Sequence, residues 1–538
     1  MASVLIVAFD GLQPAQVIPE LMPNLSSLAA NGVTFTNHHP VFPSVTRANV
    51  ASLSTGLYPG RHGLAANTLM MREFDSIQVF SALEPKLAEV AAKIGRVLLA
   101  PTLAEILSQN GQEYVAIGVG TNGNAYLQNP TAERDGGATI HPEFTLPYSL
   151  HEDITARFGP WPDETRPNTP RMAQAVKIMT EYVLPERMPA VSLIWSSEPD
   201  KSQHDQPVGS DLSNAAVKQA DEQFGILMDW LTQSGRAADT NVIVISDHGY
   251  STIITTVNVE ALVREAGFPP SGEPGGVAVA NNGGAVLFYV TDGDAETAEL
   301  LAEWLMGQEW CGAVTASDAV GEIPGTLPAS MVGNQGPRGP EITMSFRWSS
   351  DSNSAGYHGK VFSTGGGPGR GQHGSMSKHE MNNVMLAWGP GFKRGITLDV
   401  PSGNIDVAPT ILSLLGLPGG DAMDGRVLAE ALAGGEVALD RGPERDAVRE
   451  RMFALPGIGP WTADYVAMRA LAHPDVFLPT DVGVRTALTR LGADPAEAIA
   501  GSDRWRPWRS YALLHLWQTL MPPTPGPAPR PTDLQETS

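Results

Sequence analysis

Three acidic residues close short apolar runs where a ligand can reach them: Asp10 in "VAFDG", Asp200 in "SSEPDKSQH" and Asp247 in "VISDHG". Asp before Gly at a strand end is ordinary turn chemistry, and singly none of the three marks a site. Their company changes the reading. His204 follows Asp200 by four residues, His248 adjoins Asp247, and "GRGQHGS" adds His373 in a glycine-rich loop that is poor core material. Carboxylates mixed with imidazoles suit zinc, with manganese or iron as substitutes that ligand type alone leaves open. Two such ions also need a nucleophile beside them, and "FPSVTRANVASLSTG" offers one. Residues 43–46 read as a loop feeding a helix that starts near Thr46 and runs to a glycine stop. A hydroxyl there lies in a positive field that favours phosphate, and a metal on it lowers its pKa towards an alkoxide. The same hydroxyl equally fits a plain helix cap. Arg47, next in sequence, either clamps a phosphate or points to solvent.

Such residues need a scaffold that brings them together. Near-continuous apolar runs ("SVLIVAF", "EYVAIGVG", "AVSLIWS", "TNVIVIS") alternate with amphipathic stretches, including a helix expected from Ser213 to Gly235. That pattern predicts an α/β fold: a parallel sheet covered by helices on both faces, with functional groups at the carboxyl ends of the strands. "NNVMLAWGPGF" and "IDVAPTILSLLGLP" supply a late strand and a closing helix, after which composition shifts near residue 435. The expected organisation is a first domain over 1–433, a linker over 434–444, a small all-α segment over 445–520 and a Pro-rich, disordered tail over 521–538.

The 538 residues, 42% hydrophobic and 17% charged, suffice for more than one core. No apolar run reaches the roughly 18 residues a membrane span requires. The opening "MASVLIVAFDGLQP" reads as a first core strand rather than a signal peptide, and the single cysteine, Cys311, fits a reducing compartment. A cytoplasmic protein is expected, with secreted homologues still possible. The net charge is −23, and basic and acidic residues are equal in number from Arg441 onward, so the whole deficit lies before it. That surface repels nucleic-acid backbones at long range, while a metal-lined cleft within it attracts a small anion.

The run of "FDG", "FPSVTRANVASLSTGLYPGRHGL", "EPDKSQH", "SDHG" and "GQHGS…NNVMLAWGPGFK", in that order, resembles the bacterial nucleotide pyrophosphatase/phosphodiesterase branch of the alkaline phosphatase superfamily. The resemblance implies an alkaline-phosphatase-like α/β fold, a mixed, mostly parallel sheet sandwiched by helices, and two zinc ions. Asp200, His204 and His373 would hold one; Asp10, Asp247, His248 and the Thr46 oxygen would hold the other. It also implies that Thr46 takes the phosphoryl group covalently and that water then releases it, so two inversions give net retention at phosphorus. Asn67 falls where the family places an amide that steadies a non-bridging phosphate oxygen. The sequence departs from the pattern at Gln203, where many relatives carry Gly, and leaves Lys378 and His379 near the site without a role. A sulfatase is disfavoured because "SVTR" lacks the Cys or Ser that becomes formylglycine. A small phosphodiester or nucleotide is the expected substrate, with a phosphomonoesterase of the same superfamily as an alternative; a monoester usually needs a guanidinium clamp, and the sequence assigns none clearly, which favours diesters. Specificity is expected to reside in the insertions 72–96 and 321–369.

The last hundred residues resemble something else. "LPGIGPWTADYVAMRA", then "DVFLPTDVGVRTAL" and "DRWRPWRSYALLHLW", are similar to the C-terminal part of helix-hairpin-helix 3-methyladenine DNA glycosylases. In such a hairpin the glycines expose backbone N–H groups to a phosphate. The resemblance maps that family's catalytic aspartate onto Asp481, which would stabilise an oxocarbenium-like sugar as a flipped base departs. Trp505, Trp508 and Trp517, with Arg504, Arg506 and Arg509, offer stacking and phosphate contacts or serve as core. Only about 75 residues match, and the wall of a base pocket is missing. The expectation is a fused remnant, with a DNA-repair module as the alternative and DNA as a partner only in that case.

Overall fold

In "SVLIVAF" alternate side chains enter two different apolar layers, which places this strand between them. Strand β1 (Ser3–Phe9) sends Val4, Ile6 and Ala8 into one buried cluster and Leu5, Val7 and Phe9 into another. It lies inside a nine-stranded sheet with β2 (Val33–Phe35), β3 (Tyr114–Gly118), β4 (Ala138–Ile140), β5 (Thr145–Leu146), β6 (Val191–Ser196), β7 (Thr240–Ile245), β8 (Met385–Trp388) and β9 (Ile396–Leu398). The order is β9-β2-β8-β7-β1-β6-β3-β4-β5. β7, β1, β6, β3 and β4 run parallel, as do β2 and β9. β8 is antiparallel to both its neighbours, and β5 to β4. The sheet is therefore mixed and mostly parallel, as the resemblance implied; the apolar runs predicted its parallel part.

Register does the positioning. Phe9 pairs with Ser196 and Ala8 with Ile245, so β1, β6 and β7 end at one edge and the segments carrying Asp10, Asp200 and Asp247 leave it together. On one face pack α2 (Thr46–Thr55), α3 (Asn122–Gln128) and α6 (Val407–Leu414); on the other pack α1 (Pro23–Asn31) and α5 (Asp211–Gln233). The short α4 (Asp200–Asp205) follows β6 at the carboxyl edge. In α5, Phe224 is fully buried and meets the Phe9 ring edge-on at 6.1 Å. The expected start at Ser213 moves to Asp211 because Ser210 caps the helix, accepting from the Ser213 amide. From inside α5, the Asp221 carboxylate accepts from the backbone N–H groups of Asn24 and Leu25, supplying the cap that α1 lacks.

Residues 277–346 build a five-stranded sheet with the helix Ala295–Met306, around a third apolar cluster. The insertion 321–369 belongs partly to that sheet and partly to a four-stranded one, in which Ser251–Thr256 pairs with His358–Ser363 and with Gly371–Gln372. The last of these strands leads directly into His373.

The computed structural model describes residues 3–433, 448–450, 452 and 458–520. The chain divides into two compact units, Met1–Ala433 and Gly434–Ser538. The second contains α7 (Pro460–Arg469), α8 (Val482–Arg490), α9 (Pro495–Ala500) and α10 (Arg509–Gln518) around a cluster that includes Ala463, Leu478, Leu488 and Leu513. Leu455 to Gly457 of the hairpin, the linker 434–444 and the tail 521–538 lie outside the described residues. Among the described residues no helix is long and apolar enough to cross a membrane.

Candidate active site

At the carboxyl edge of the sheet two groups of three side chains each converge, with their ligand atoms within 4.8 Å of one another: Asp200, His204 and His373 in one, Asp10, Asp247 and His248 in the other. α4 carries Asp200 and His204 one turn apart on a single face, so both reach the same point. The turn after β7 supplies Asp247 and His248. His373, expected in a loop outside the core, is 5% exposed, because the four-stranded sheet folds over it. The His248 and His373 rings stack with centroids 3.5 Å apart, which sets the two groups side by side.

The hydrogen-bond pattern leaves this site in need of cations. His248 Nδ1 faces the Gly249 carbonyl at 3.0 Å and His373 Nδ1 faces the Ser44 carbonyl at 2.7 Å. Each ring thus donates from Nδ1 and turns an Nε2 lone pair inward, the tautomer a metal ligand requires. Burial drives His248 down to about 4 and His373 to about 3, so both are neutral. Asp10 Oδ1 and Asp247 Oδ2 are buried without any hydrogen-bond partner. Burial, with Asp247 and Asp200 adding repulsion, holds Asp10 well above the usual carboxylate range. Asp247 is pushed up to about 6 by burial, against the hydrogen bond from the Gly11 amide and with the Asp200 charge adding to the rise. Asp200 goes the other way: burial opposes its ionisation, but the charge and hydrogen bond of His204, itself raised by Asp200, bring it far below its ordinary value. Orphaned carboxylate oxygens beside inward imidazole lone pairs fit two divalent ions of the zinc type.

A second layer orients these groups. Trp195 Nε1 donates to Asp10 Oδ2 at 3.0 Å, the Gly11 amide to Asp247 Oδ1 at 3.0 Å, and the Tyr250 hydroxyl to Asp200 Oδ1 at 2.7 Å. Gly11 has φ of +69°, and a Cβ there would lie 2.6 Å from the Tyr250 ring, so this turn admits no side chain. Gln203, the departure from the family pattern, is buried: it donates to the Gly11 carbonyl and accepts from Gln16 and Ser213, tying α4 to the Asp10 turn. His379 and Glu380 present backbone carbonyls to the amides of Tyr250 and Gly249, and Lys378 is exposed. The Glu380 carboxyl, raised to about 7 by burial, accepts from the Ser375 amide and the Ser44 hydroxyl and so links the His373 loop to the residues before Thr46. Trp195, Tyr250 and Glu380 escaped the sequence reading. An indole ending an otherwise aliphatic strand, and a tyrosine just after "SDHG", were the signals available for the first two.

Thr46 begins α2 with its hydroxyl turned into the site. The N-cap is Val45 and no side chain caps the helix, so the plain capping role falls away. Thr46 Oγ1 lies 3.4 Å from His248 Nε2, and the residue is 8% exposed. Asn67 stands beside it: its Oδ1 accepts from the Arg47 amide at 2.9 Å, which fixes the carboxamide next to the start of α2. Arg47 is buried rather than turned to solvent. In the other unit, Asp481 caps α8 through the Val484 amide and accepts from Trp517 Nε1 and Trp461 Nε1, each at 3.0 Å. Burial opposes its ionisation, but these donors hold its carboxyl below the ordinary value.

Comparison with known proteins agrees with both halves. The profile of the family described as type I phosphodiesterase/nucleotide pyrophosphatase matches residues 4–359. The ectonucleotide pyrophosphatase/phosphodiesterase C27A7.3 of Caenorhabditis elegans is 23% identical over 266 residues, which is 49% of this chain and 30% of that protein. Murine ectonucleotide pyrophosphatase/phosphodiesterase 5 superposes with a TM-score of 0.59 at 18% identity, covering 80% of this chain and all of the other. The same murine protein has been solved as an inactive threonine-to-alanine form in complex with AMP. At the other end the chain is 48% identical over 99 residues to the probable bifunctional transcriptional activator/DNA repair enzyme AlkA of Mycobacterium tuberculosis. That match is 18% of this chain and spans one fifth of the mycobacterial protein. With two thirds of its length under one profile and the matching fold around the site, the chain belongs to the type I phosphodiesterase/nucleotide pyrophosphatase family.

Proposed function

We propose that the first unit hydrolyses phosphodiester or pyrophosphate bonds of nucleotide-type substrates through a phosphoryl-threonine on Thr46. One observation carries the reading: two triads, each with two inward-facing ligand types and one with orphaned carboxylate oxygens, flank a buried threonine hydroxyl. Asp200, His204 and His373 would hold one zinc and Asp10, Asp247, His248 and Thr46 the other; manganese or iron fit the same donors. Bound there, the ions supply Lewis acidity that lowers the hydroxyl pKa and steadies the departing oxygen. Thr46 Oγ1 attacks phosphorus, the P–O bond to the leaving group breaks, and the leaving oxygen departs opposite. Asn67 Nδ2, with its Oδ1 pinned by the Arg47 amide, donates to a non-bridging oxygen whose charge grows in the transition state. Water then attacks phosphorus from the vacated side and frees Thr46, leaving the stereochemistry at phosphorus retained. The AMP bound to the murine structural relative supports a nucleotide substrate.

The test is Thr46→Ala. Release of p-nitrophenol from bis(p-nitrophenyl) phosphate is expected to vanish while the zinc content stays close to that of the wild type; full turnover in the variant ends the proposal.

The second unit supports a separate reading, a fused glycosylase remnant. Its aspartate, Asp481, already receives three hydrogen bonds from within the unit. Alkylated duplex DNA incubated with the full chain is expected to release no 3-methyladenine. Release that disappears in Asp481→Asn would establish the working module instead.

A further inference from the structure

Two buried N–H groups, one on the residue after Thr46 and one on the Asp10 side of the site, have no acceptor, and the inference they carry rests on the phosphoryl-transfer reading above. The first is Arg47, 8% exposed. Its Nη1 donates to the Asn67 carbonyl at 3.2 Å and to Ser81 Oγ at 3.4 Å. Its Nε is buried and bonds to nothing, and no carboxylate pairs with the guanidinium among the described residues. A guanidinium keeps its charge at neutral pH. A buried charge without a counter-ion is costly to keep.

The second donor is Asn124, 1% exposed, on α3. Its Oδ1 accepts from Gln128 Nε2 at 2.7 Å, which points Nδ2 the other way, and Nδ2 has no partner. A Cβ on Gly120 would lie 3.4 Å from Asn124 Nδ2 and 3.9 Å from Asp10 Oδ2, so this amide borders the Asp10 side of the site. The segment that Arg47 reaches at Ser81 also packs against α3. Gly123 fits so closely under the residue after Ser81 that a Cβ would lie 1.9 Å from the Ala82 carbonyl.

We infer that Arg47 and Asn124 form an anion subsite beside Thr46, one that extends the substrate class to phosphoryl groups bearing a second negative charge. Two divalent ions would be balanced by Asp10, Asp200, Asp247 and an ionised Thr46, leaving Arg47 as surplus positive charge. Its attraction grows with the charge on the ligand. The second charge comes either from a further ionised oxygen on the same phosphorus, as in a monoester, or from the next phosphate of an anhydride.

The zinc-loaded full chain is assayed as wild type, Arg47→Met and Arg47→Lys on p-nitrophenyl phosphate, ATP and bis(p-nitrophenyl) phosphate. In Arg47→Met the kcat/KM ratio of monoester to diester is expected to fall about tenfold or more, the loss of one charge-assisted hydrogen bond, with Arg47→Lys recovering part of it. A fall confined to the ATP ratio assigns the subsite to the neighbouring phosphate. Both ratios unchanged within twofold overturn the inference. Inorganic phosphate titrated calorimetrically into zinc-loaded Thr46→Ala, with and without Arg47→Met, gives an independent answer: Kd at least tenfold weaker is expected, and equal Kd overturns it. That arm stands even if wild type cleaves none of the three esters, the outcome that would sink the phosphodiesterase reading alone. Asn124→Leu carries the same ratio test should Arg47→Met fail to fold.

Discussion

Removing the metals should expose a pH dependence that the buried acids predict. Asp247 titrates at about 6 in the folded chain against an ordinary value of 3.8. A raised folded pKa means that the protonated acid favours the fold: the stabilisation is complete below 3.8 and is lost as pH rises through about 6. The gap is worth about 3 kcal/mol at about 1.4 kcal/mol per pH unit, and about half of it disappears between pH 5 and pH 7.5. For a unit of this size, unfolding entropy of about 0.9 kcal/mol/K turns that half into a fall of about 1.5 °C in Tm. Asp10, displaced in the same direction, adds to it. Zinc reverses the balance, since it needs the charged carboxylate that the metal-free fold penalises. Scanning calorimetry on metal-free and zinc-loaded protein at pH 5, 6 and 7.5, beside Asp247→Asn, measures both effects. The metal-free Tm of wild type should drop with pH more than that of Asp247→Asn, and the gain from zinc should be larger at pH 7.5 than at pH 5. Parallel pH curves for the two metal-free proteins, together with no zinc-induced gain at any pH, would refute the reasoning.

Two further outcomes bear on the site. Asn67→Ala should lower kcat on a diester by about a hundredfold, the usual cost of losing one donor to a developing oxyanion, while KM changes little; a large KM effect with kcat preserved would move Asn67 from the transition state to ground-state binding. Trp195→Phe removes the indole hydrogen bond to Asp10 and should weaken zinc binding roughly 10–100-fold by competition with a chelator; unchanged zinc affinity would show that Asp10 needs no such support.

The three candidate acids were legible because each follows a strong pattern. β1, β6 and β7 are apolar throughout, so an acid just past each had to emerge at the sheet edge, and parallel pairing made it the same edge. Thr46 was legible from its loop-to-helix junction, although its hydroxyl might have capped the helix; only the geometry shows it facing His248. What sequence could not give was contact across long separations. Trp195 meets Asp10 over 185 positions and Tyr250 meets Asp200 over 50. The burial of His373 likewise depends on a sheet assembled from residues 251–372, whose strands are short and poorly patterned. Arg47 could not be placed because a helix start has both an inner and an outer face, and only the packing of the Ser81 loop and α3 closes the outer one.

Charge argues for keeping the chemistry of the two units apart. The acidic surplus belongs to the part of the chain that holds the two clusters of carboxylates and imidazoles, beside which the Arg47 guanidinium is buried. Long-range repulsion from that surface hardly troubles a nucleotide, whose few charges meet the ions within ångströms, but it acts on every phosphate of a duplex. The second unit offers little to offset it. Arg506 and Arg509 both pair with Asp475 and with Asp503, so two of the guanidinium groups that a DNA backbone would need are already engaged within the unit. Freeing them means breaking those pairs first. A helical segment in that electrostatic position can keep the shape of a DNA-binding element, and even its aspartate, while lacking the counter-ion release that gives such elements their grip.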